Sequence, residues 1–235
     1  MVDNNRLEYP SPVIQIQQQC PDGHRVLWIP QNEVFRVRNI FDEHEYSIPP
    51  QYIPRGPLTI VDIGANIGLF ALYMTTVHGA CNIYCFEPVP QTLELLKKNV
   101  GDDPRIHVYP YALSNREETA RLHLHPTNSG ENSLKAIKHA PENTIRVPVK
   151  DAAGTLHRIG LNYLDILKID TEGSEVEILE SLRPYLMYVG ILIIEYHSDM
   201  DRRNIDNLLG THVLFEANVC TPQLGVVKYI NARLL

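Results

Sequence analysis

The chain has 235 residues with a formal net charge of −7 at pH 7, and 44% of its residues are hydrophobic. This length is enough for one sizeable hydrophobic core. The acidic balance and the lack of a long basic cluster argue against a nucleic-acid substrate, and no apolar run reaches membrane-spanning length. Because the N-terminus also lacks the basic and apolar regions of a signal peptide, we expect a cytoplasmic location.

The first quarter of the chain has no clear helical pattern. Residues 1–20 are polar and predict a loose or strand-like arm. Arg25–Pro30 and Val34–Ile40 have strand composition, and the short polar stretch between them fits a turn, so the two together suggest a hairpin. Residues 41–57 contain several prolines, which prevent regular secondary structure. This segment either covers a bound ligand or serves only as a connector.

A strand, a glycine turn, a helix and a second strand follow at once. Leu58–Ile63 is apolar and rich in β-branched residues, as buried parallel strands are. Gly64 permits a tight turn, and Gly68 lets the next helix pack closely on the strand. Ile83–Phe86 reads as the second strand, and Glu87 stands at its end. This arrangement predicts a nucleoside-binding unit in which Glu87 accepts hydrogen bonds from ribose hydroxyls.

The turn favours one nucleoside cofactor over another. A dinucleotide loop needs glycine at the positions of Asn66 and Leu69, and Asp62 would repel a pyrophosphate. The pattern therefore fits S-adenosylmethionine better than NAD, with Asp62 expected near its cationic amino-acid moiety. The predicted cofactor contacts in this unit are Asp62, Gly64, Ala65, Asn66, Gly68, Glu87 and Pro88. An NAD-linked oxidoreductase and a non-catalytic nucleoside-binding module remain as alternatives.

Three motifs carry a resemblance to a known family. They are Val-Asp-Ile-Gly-Ala-Asn-Ile-Gly at 61–68, Phe-Glu-Pro at 86–88, and Leu-Lys-Ile-Asp-Thr-Glu-Gly-Ser-Glu at 167–175. Together they resemble the FkbM-type family of S-adenosylmethionine-dependent methyltransferases, over roughly residues 40–197. The resemblance implies a class I methyltransferase fold and, usually, O-methylation of a hydroxyl on a small molecule or sugar.

Beyond the second strand, Pro90 can open a helix in its first turn, and Ile106–Tyr109 reads as a third strand. Ala112 and Leu113 follow where a class I methyltransferase cradles adenine, which makes them candidate cofactor contacts. Arg121–His125 and Ile145–Val149 alternate like two added strands. The polar loop between them, Pro126–Pro141, is placed to shape a substrate pocket.

The last part of the chain predicts two more buried strands, at Tyr163–Asp170 and Val189–Ile194, with a helix between them. His212–Phe215 and Val226–Ile230 suggest an antiparallel edge. We therefore expect an α/β fold, a doubly wound and mostly parallel sheet with helices on both faces and an antiparallel C-terminal edge. Residues 58–235 would form this domain, and residues 1–57 would cap it.

Four polar residues should meet at the carboxyl edge of this sheet: Asp170, Glu172, Glu195 and His197. Methyl transfer to a hydroxyl requires removal of its proton, and histidine has a suitable pKa. The candidate catalytic residues are His197 as general base, with Asp170 and Glu195; Asp170 is also a candidate cofactor contact. Glu172 is expected to bind backbone groups at the start of its helix. The alternative to a catalytic role for His197 is a purely structural one.

Metal assistance is the other route that the sequence leaves open. The carboxylates and His197 could together hold Mg²⁺, which would lower the pKa of the acceptor oxygen. The sequence does not decide between a direct base and a metal. The expected partner is a small hydroxylated molecule, with neither nucleic acid nor membrane.

Overall fold

The computed structural model describes residues 11–135 and 143–235. Its strands are β1 (Val13–Cys20), β2 (Gly23–Pro30), β3 (Leu58–Ile63), β4 (Cys81–Phe86), β5 (Ile106–Tyr109), β6 (Ala112–Ser114), β7 (Glu118–His123), β8 (Thr144–Asp151), β9 (Leu164–Ile169), β10 (Val189–Tyr196), β11 (His212–Thr221) and β12 (Leu224–Asn231). Its helices are α1 (Phe35–Val37), α2 (Leu69–Val77), α3 (Pro90–Val100), α4 (Ala152–Arg158), α5 (Glu175–Leu182) and α6 (Asp199–Leu208).

The central sheet has seven strands in the order β11-β12-β10-β9-β3-β4-β5. Strands β5, β4, β3, β9 and β10 pair in parallel. Strand β12 runs antiparallel to both of its neighbours, β10 and β11. The doubly wound, mostly parallel sheet and its antiparallel C-terminal edge are confirmed. Their arrangement places the carboxyl ends of β3, β4, β9 and β10 at one edge of the sheet.

The sheet is buried on both faces because its inner strands are apolar at nearly every position. Alternate residues point to opposite faces. Ile60 and Ile166 belong to the core layer formed with α2, α3 and the N-terminal segment. Val61 and Leu167 belong to the layer formed with α4, α5 and α6. This explains why β3 and β9 read as continuous hydrophobic runs rather than as alternating ones.

The N-terminal segment differs from the prediction. The hairpin joins β1 to β2 in antiparallel register, with Cys20 opposite Gly23, and so uses the chain before residue 25. The predicted second strand, Val34–Ile40, is helical: α1 continues as a wider helical turn over Arg38–Asp42. Val37, Ile40 and Phe41 are buried while Phe35 is half exposed. That is helical spacing, which the apparent alternation of the segment concealed.

A smaller sheet follows the third parallel strand. Strand β8 pairs in parallel with β6 and antiparallel with β7, which confirms the two added strands. Residues 136–142, which include the end of the predicted Pro126–Pro141 loop, lie outside the described residues, as do residues 1–10. Helix α4 was not predicted; Asp151 caps it by accepting a hydrogen bond from the backbone N–H of Gly154. In the two described ranges, none of the helices has the length and apolar character to span a bilayer.

Candidate functional site at the carboxyl edge of the sheet

The turn after β3 is held in left-handed backbone conformations. Gly64 has a φ of 80° and Gly68 of 85°, and Asn66 adopts a φ of 47°, a conformation that asparagine tolerates better than most residues. The backbone N–H groups of Gly64 and Ala65 both donate to the carbonyl of Phe86, at 3.1 and 3.0 Å. The end of β4 therefore fixes the shape of the turn.

Glu87 lies at the end of β4, as predicted, and is buried. One of its carboxylate oxygens accepts a hydrogen bond from the backbone N–H of Asn66 at 3.0 Å, and the other from that of Val89 at 2.8 Å. Burial raises the pKa of Glu87 to about 7, although these hydrogen bonds oppose the rise. Glu87 is thus a carboxyl group that titrates close to neutral pH.

A narrow cleft passes over Glu87, and we call it the β4 cleft. Six of the predicted site residues line it: Gly64, Glu87, Pro88, Ala112, Leu113 and Asp170. Apolar side chains such as Leu122 and Leu134 form part of its wall. The predicted contacts Asp62, Ala65, Asn66 and Gly68 are not among its lining residues. Sequence reasoning missed the wall at Leu122 and Leu134, because Leu122 lies on the added sheet and Leu134 on the loop packed against it, not on the nucleoside-binding unit.

Asp62 is fully buried and faces Lys168, a residue that the sequence did not single out. The Lys168 ammonium lies 3.2 Å from Asp62 Oδ1 and 3.5 Å from Asp170 Oδ2. It also donates a hydrogen bond to the carbonyl of Gly64 at 3.1 Å. Burial disfavours its charge, but Asp62 and Asp170 outweigh that effect and keep the pKa of Lys168 above its ordinary value. This buried ion pair joins the glycine turn to the end of β9.

A second turn, Asp170–Ser174, presents the carboxylates of Asp170 and Glu172. It is organised by Glu175, which has no exposed surface. Glu175 Oε1 accepts hydrogen bonds from the backbone N–H groups of Thr171 and Gly173, at 3.1 and 2.9 Å. We expected Glu172 to hold the start of α5, but Glu175 does so. Glu172 has a φ of 56° and its carboxylate turns toward His197 instead.

His197 follows β10 and lies among carboxylates. Its Nε2 is 3.1 Å from Glu172 Oε2 and 3.8 Å from Glu195 Oε1, and its Nδ1 is 3.3 Å from Glu175 Oε1. Burial lowers the pKa of His197, but Glu172 and Glu175 outweigh that effect and raise it to about 11. The structure therefore brings together the predicted catalytic group, with His197 as an imidazolium at neutral pH.

A wider cleft of about 600 Å³ opens beside the first, and we call it the β10 cleft. Its walls include Glu195 and His197, and Asp170 and Glu172 line both clefts. The N-terminal segment contributes part of the wall: Phe35, Arg36, Asn39, Ile40, Glu45 and Tyr46. No local pattern in the sequence distinguished these residues, because only the fold of residues 31–46 brings them to the sheet edge.

The N-terminal segment also anchors the loop that separates the clefts. The fully buried Glu33 accepts hydrogen bonds from the backbone N–H and hydroxyl of Ser129, at 2.7 and 2.9 Å. Arg36 donates to the side chain of Asn128 at 2.8 Å, and the Ser129 hydroxyl also contacts Asn66 at 3.2 Å. Ser129 lines the β4 cleft and Asn128 the β10 cleft, so this loop is a shared wall.

Solved structures with the same architecture include two fibrillarins. The fibrillarin pre-rRNA processing protein of Methanococcus jannaschii superposes with a TM-score of 0.52 at 11% identity, over 96% of this chain and 85% of its own. Aeropyrum pernix fibrillarin, solved with natively bound S-adenosyl-L-methionine, gives 0.50 at 11% identity over the same shares. At this level of identity the likeness concerns the fold, and the fold is that of class I methyltransferases.

Several curated relatives are methyltransferases. Methyltransferase sdnD of Sordaria araneosa is 28% identical over 63% of this chain and 68% of its own length. Hexuronic acid methyltransferase AglP of Haloferax volcanii is 26% identical over 75% of this chain and 72% of its own. The 2-O-methyltransferase NoeI of Sinorhizobium fredii is 24% identical over 58% of this chain and 62% of its own.

The family comparison matches the methyltransferase FkbM domain over residues 62–218. This range contains the glycine turn, Glu87, the Asp170–Ser174 turn and His197. The match to a methyltransferase family sets aside the two alternatives, an NAD-linked oxidoreductase and a non-catalytic nucleoside-binding module. The chain belongs to the FkbM family of S-adenosylmethionine-dependent methyltransferases, as its motifs predicted.

Proposed function

We propose that this enzyme binds S-adenosylmethionine in the β4 cleft and O-methylates a small molecule or sugar in the β10 cleft. The observation that carries the proposal is that Asp170 and Glu172 line both clefts. Methyl transfer from a sulfonium is an in-line displacement, so donor and acceptor must meet at one point. The edge of the sheet at Asp170 is the place where the two clefts share side chains.

The residues of the β4 cleft fit the cofactor. Glu87 offers a buried carboxylate to a ribose diol, and Ala112 and Leu113 offer an apolar surface to a base. Gly64 brings the main chain close to Asp170, and the Asp170 carboxylate would face the cationic amino-acid end of the cofactor. The cofactor supplies an electrophilic methyl group when it is bound. The protein's own contribution is to bind, to orient and to exclude water.

The proposed acceptor is a hydroxylated small molecule. The wall of the β10 cleft is rich in hydrogen-bonding groups, among them Asn39, Glu45, Asn128, Glu131 and Gln223. Such groups recognise polyols and sugars through directed hydrogen bonds. The relatives named for acting on hexuronic acid and for 2-O-methylation favour the same class of acceptor. We further propose that the N-terminal segment caps this side of the domain.

Removal of the acceptor proton has two possible routes. In the first, His197 acts as the base beside Asp170 and Glu195; in the second, Mg²⁺ held by the same group assists. An imidazolium has no free lone pair with which to accept a proton. The raised pKa of His197 therefore means that either role, as base or as metal ligand, requires the ring first to lose that proton. His197→Ala should reduce turnover by about 10²–10⁴ in either case, with cofactor affinity nearly unchanged.

The function can be tested with a panel of sugars, uronic acids and other polyols incubated with enzyme and S-adenosylmethionine. Release of S-adenosylhomocysteine, together with a methyl ether in the product by mass spectrometry and NMR, is the expected result. Asp170→Asn should abolish product formation while the protein stays folded. A second panel of structured RNAs should remain unmodified. Methylation of RNA, or of nitrogen or carbon in the first panel, would contradict the proposal.

A further inference from the structure

One ligand atom from each of Asp170, Glu172 and His197 lies within 4.8 Å of the other two. Within this group, His197 Nε2 lies 3.1 Å from Glu172 Oε2. Opposite ligands of an octahedral Mg²⁺ or Mn²⁺ lie about 4.2 Å apart, and adjacent ones about 3 Å. The three side chains are therefore spaced so that a single ion could contact all of them after small side-chain adjustments.

The imidazole is oriented by a buried carboxylate that backbone hydrogen bonds hold in place. His197 Nδ1 lies 3.3 Å from Glu175 Oε1, and Glu175 is held in place by the backbone N–H groups of Thr171 and Gly173. Histidines that ligate metals commonly direct their second ring nitrogen to such a carboxylate, which fixes the tautomer and the ring orientation. Here that arrangement directs Nε2 toward Glu172.

The polar atoms at this point are also incompletely satisfied. The ring nitrogens of His197 are in ion-pair contact with Glu172 and Glu175, but Oε2 of the fully buried Glu175 has no hydrogen-bond partner within residues 11–135 and 143–235. Buried polar atoms normally have partners, and those that lack them often mark the position of an ion or a ligand. This observation is independent of the spacing of the ligand atoms.

The charge of the surroundings favours a cation. Four acidic side chains lie around the imidazole: Glu172, Glu175 and Glu195 are within 3.8 Å of a ring nitrogen, and Asp170 is within 4.8 Å. Lys168 is the nearby ammonium, and it also contacts Asp62 and the carbonyl of Gly64. Arg36, on the opposite wall, is directed to Glu33 and Asn128. Lys168 also contacts one of the proposed ligands, Asp170, at 3.5 Å, so a bound cation would compete with it there. In the described part of the chain, the four acidic side chains still outnumber Lys168 and His197, the two basic groups that contact them.

We infer that Asp170, Glu172 and His197 form a binding site for a divalent cation, with Glu175 as the positioning residue for His197. One nitrogen and two carboxylate oxygens suit ions that accept mixed donors, such as Mn²⁺ and Zn²⁺, better than Mg²⁺, which prefers oxygen alone. The site opens into the β10 cleft, where positive charge would favour loss of a hydroxyl proton. This catalytic value rests on the proposed function; the binding site itself does not.

Binding is tested on the full chain after chelator treatment, with neither cofactor nor acceptor present. Titration with Mn²⁺ by calorimetry should show one saturable site, and Zn²⁺ and Mg²⁺ titrations rank the ions. Asp170→Asn, Glu172→Gln and His197→Ala should each weaken Mn²⁺ binding at least tenfold. Glu45→Gln removes the same charge from the same cleft without touching the three ligands, and should change the affinity less than about threefold.

Two further measurements separate ligation from a merely structural effect. Pulsed electron paramagnetic resonance of bound Mn²⁺ should show coupling to nitrogen, and this signal should disappear in His197→Ala. Glu175→Gln keeps an oxygen for the backbone N–H groups but loses the charge, so it should weaken Mn²⁺ binding about 10–100-fold while the metal-free protein stays folded. Glu175→Asp should recover part of the affinity.

The inference would be overturned if Mn²⁺ showed no saturable binding, or if the three ligand variants bound it as tightly as the wild type. Bound Mn²⁺ without nitrogen coupling would overturn it as well. Methyl transfer that continues undiminished in chelator-treated enzyme would overturn its catalytic role and leave the proposed function standing. Conversely, specific Mn²⁺ binding without methylation of any hydroxylated acceptor would count against the proposed function and not against the site.

Discussion

The α-carbon of Gly64 packs directly on the main chain of Asp170: a β-carbon built on Gly64 would lie 1.7 Å from the Asp170 carbonyl oxygen. Two strands that are far apart in sequence, β3 and β9, therefore end in contact with each other. Glycine is required at this position because of the neighbouring backbone as well as because of its φ of 80°. The fold itself therefore requires glycine at position 64, whether or not a ligand is bound.

Gly64→Ala should consequently lower the free energy of unfolding, measured by urea denaturation, by more than about 4 kcal/mol. Gly160→Ala is a matched control, because Gly160 has a φ of 79° and nothing lies within 4 Å of its added β-carbon. Gly160→Ala should lower the free energy of unfolding by only about 1–2 kcal/mol, because alanine is strained in a left-handed conformation. Equal losses in the two variants would show that the contact with Asp170 does not matter.

Glu87→Gln should weaken S-adenosylmethionine binding by about 1.5–3 kcal/mol at pH 8, because a charged acceptor for ribose hydroxyls becomes neutral. Glu94→Gln is the control, since Glu94 is exposed on the neighbouring helix α3. Calorimetry measures both. Wild-type affinity in a folded Glu87→Gln variant would remove Glu87 from the cofactor site.

The pKa of Glu87, about 7 in the free enzyme, predicts a pH dependence of binding. The ionised form is the better acceptor, so the ratio of wild-type to Glu87→Gln affinity should rise with pH through about 7. At pH 6 it should be about tenfold below its high-pH limit. Taking the ratio cancels the titration of the cofactor's own amino group. A ratio that is flat between pH 6 and 8.5 would contradict the assignment.

The same pKa predicts the opposite trend for stability. The folded state raises the pKa of Glu87 above its ordinary value, so folding favours the protonated carboxyl. The contribution of Glu87 is therefore most favourable below pH 4.5 and declines as the pH rises to about 7. Free energies of unfolding without cofactor should fall less over this range in Glu87→Gln than in the wild type. An identical decline in both proteins would contradict the raised pKa.

Lys168→Met should lower the free energy of unfolding by about 3–5 kcal/mol, because it leaves the buried Asp62 carboxylate without its cation. The double variant Asp62→Leu, Lys168→Met should recover much of that loss. Together with the Asp62→Leu single variant it completes a cycle, and the double-variant effect minus the two single effects measures the coupling of the pair. Lys97→Met, on the exposed side of α3, should be nearly neutral. Additive single and double effects would indicate that the two charges do not depend on each other.

Loop residues 124–134 should govern the rate at which cofactor enters and leaves. The β4 cleft encloses only about 60 Å³ of free space, far less than the several hundred Å³ of ordinary ligand pockets, so its wall must move. Glu33→Ala removes the acceptor that holds Ser129, and should raise both rate constants for S-adenosylhomocysteine in stopped-flow measurements. It should also speed hydrogen exchange in this loop.

Glu43→Ala is a suitable control for that experiment. Glu43 forms an exposed ion pair with Arg38, in the same segment but away from the loop. Its removal should leave binding rates and hydrogen exchange unchanged, since exposed pairs contribute little. If Glu33→Ala behaves like Glu43→Ala, the loop is not restrained by Glu33.

The sequence by itself determined the features that depend on neighbours along the chain. The strand, turn and helix at Leu58–Val77 follow from a β-branched run, two glycines and an apolar helix, and Glu87 follows from the end of the next strand. The parallel sheet and its antiparallel edge follow from continuous apolar runs and their order. Asp170 and His197 could be brought together because parallel strands end at a common edge.

Only the tertiary structure decided which distant residues meet. The pairing of Lys168 with Asp62, of Glu33 with Ser129 and of Glu175 with His197 joins parts of the chain that have no shared local pattern. Long-range contacts of this kind depend on the packing of whole elements, and their side chains look like ordinary surface charges in the sequence. Burial then changes their chemistry, since it makes Asp62 and Lys168 a structural ion pair and surrounds His197 with carboxylates.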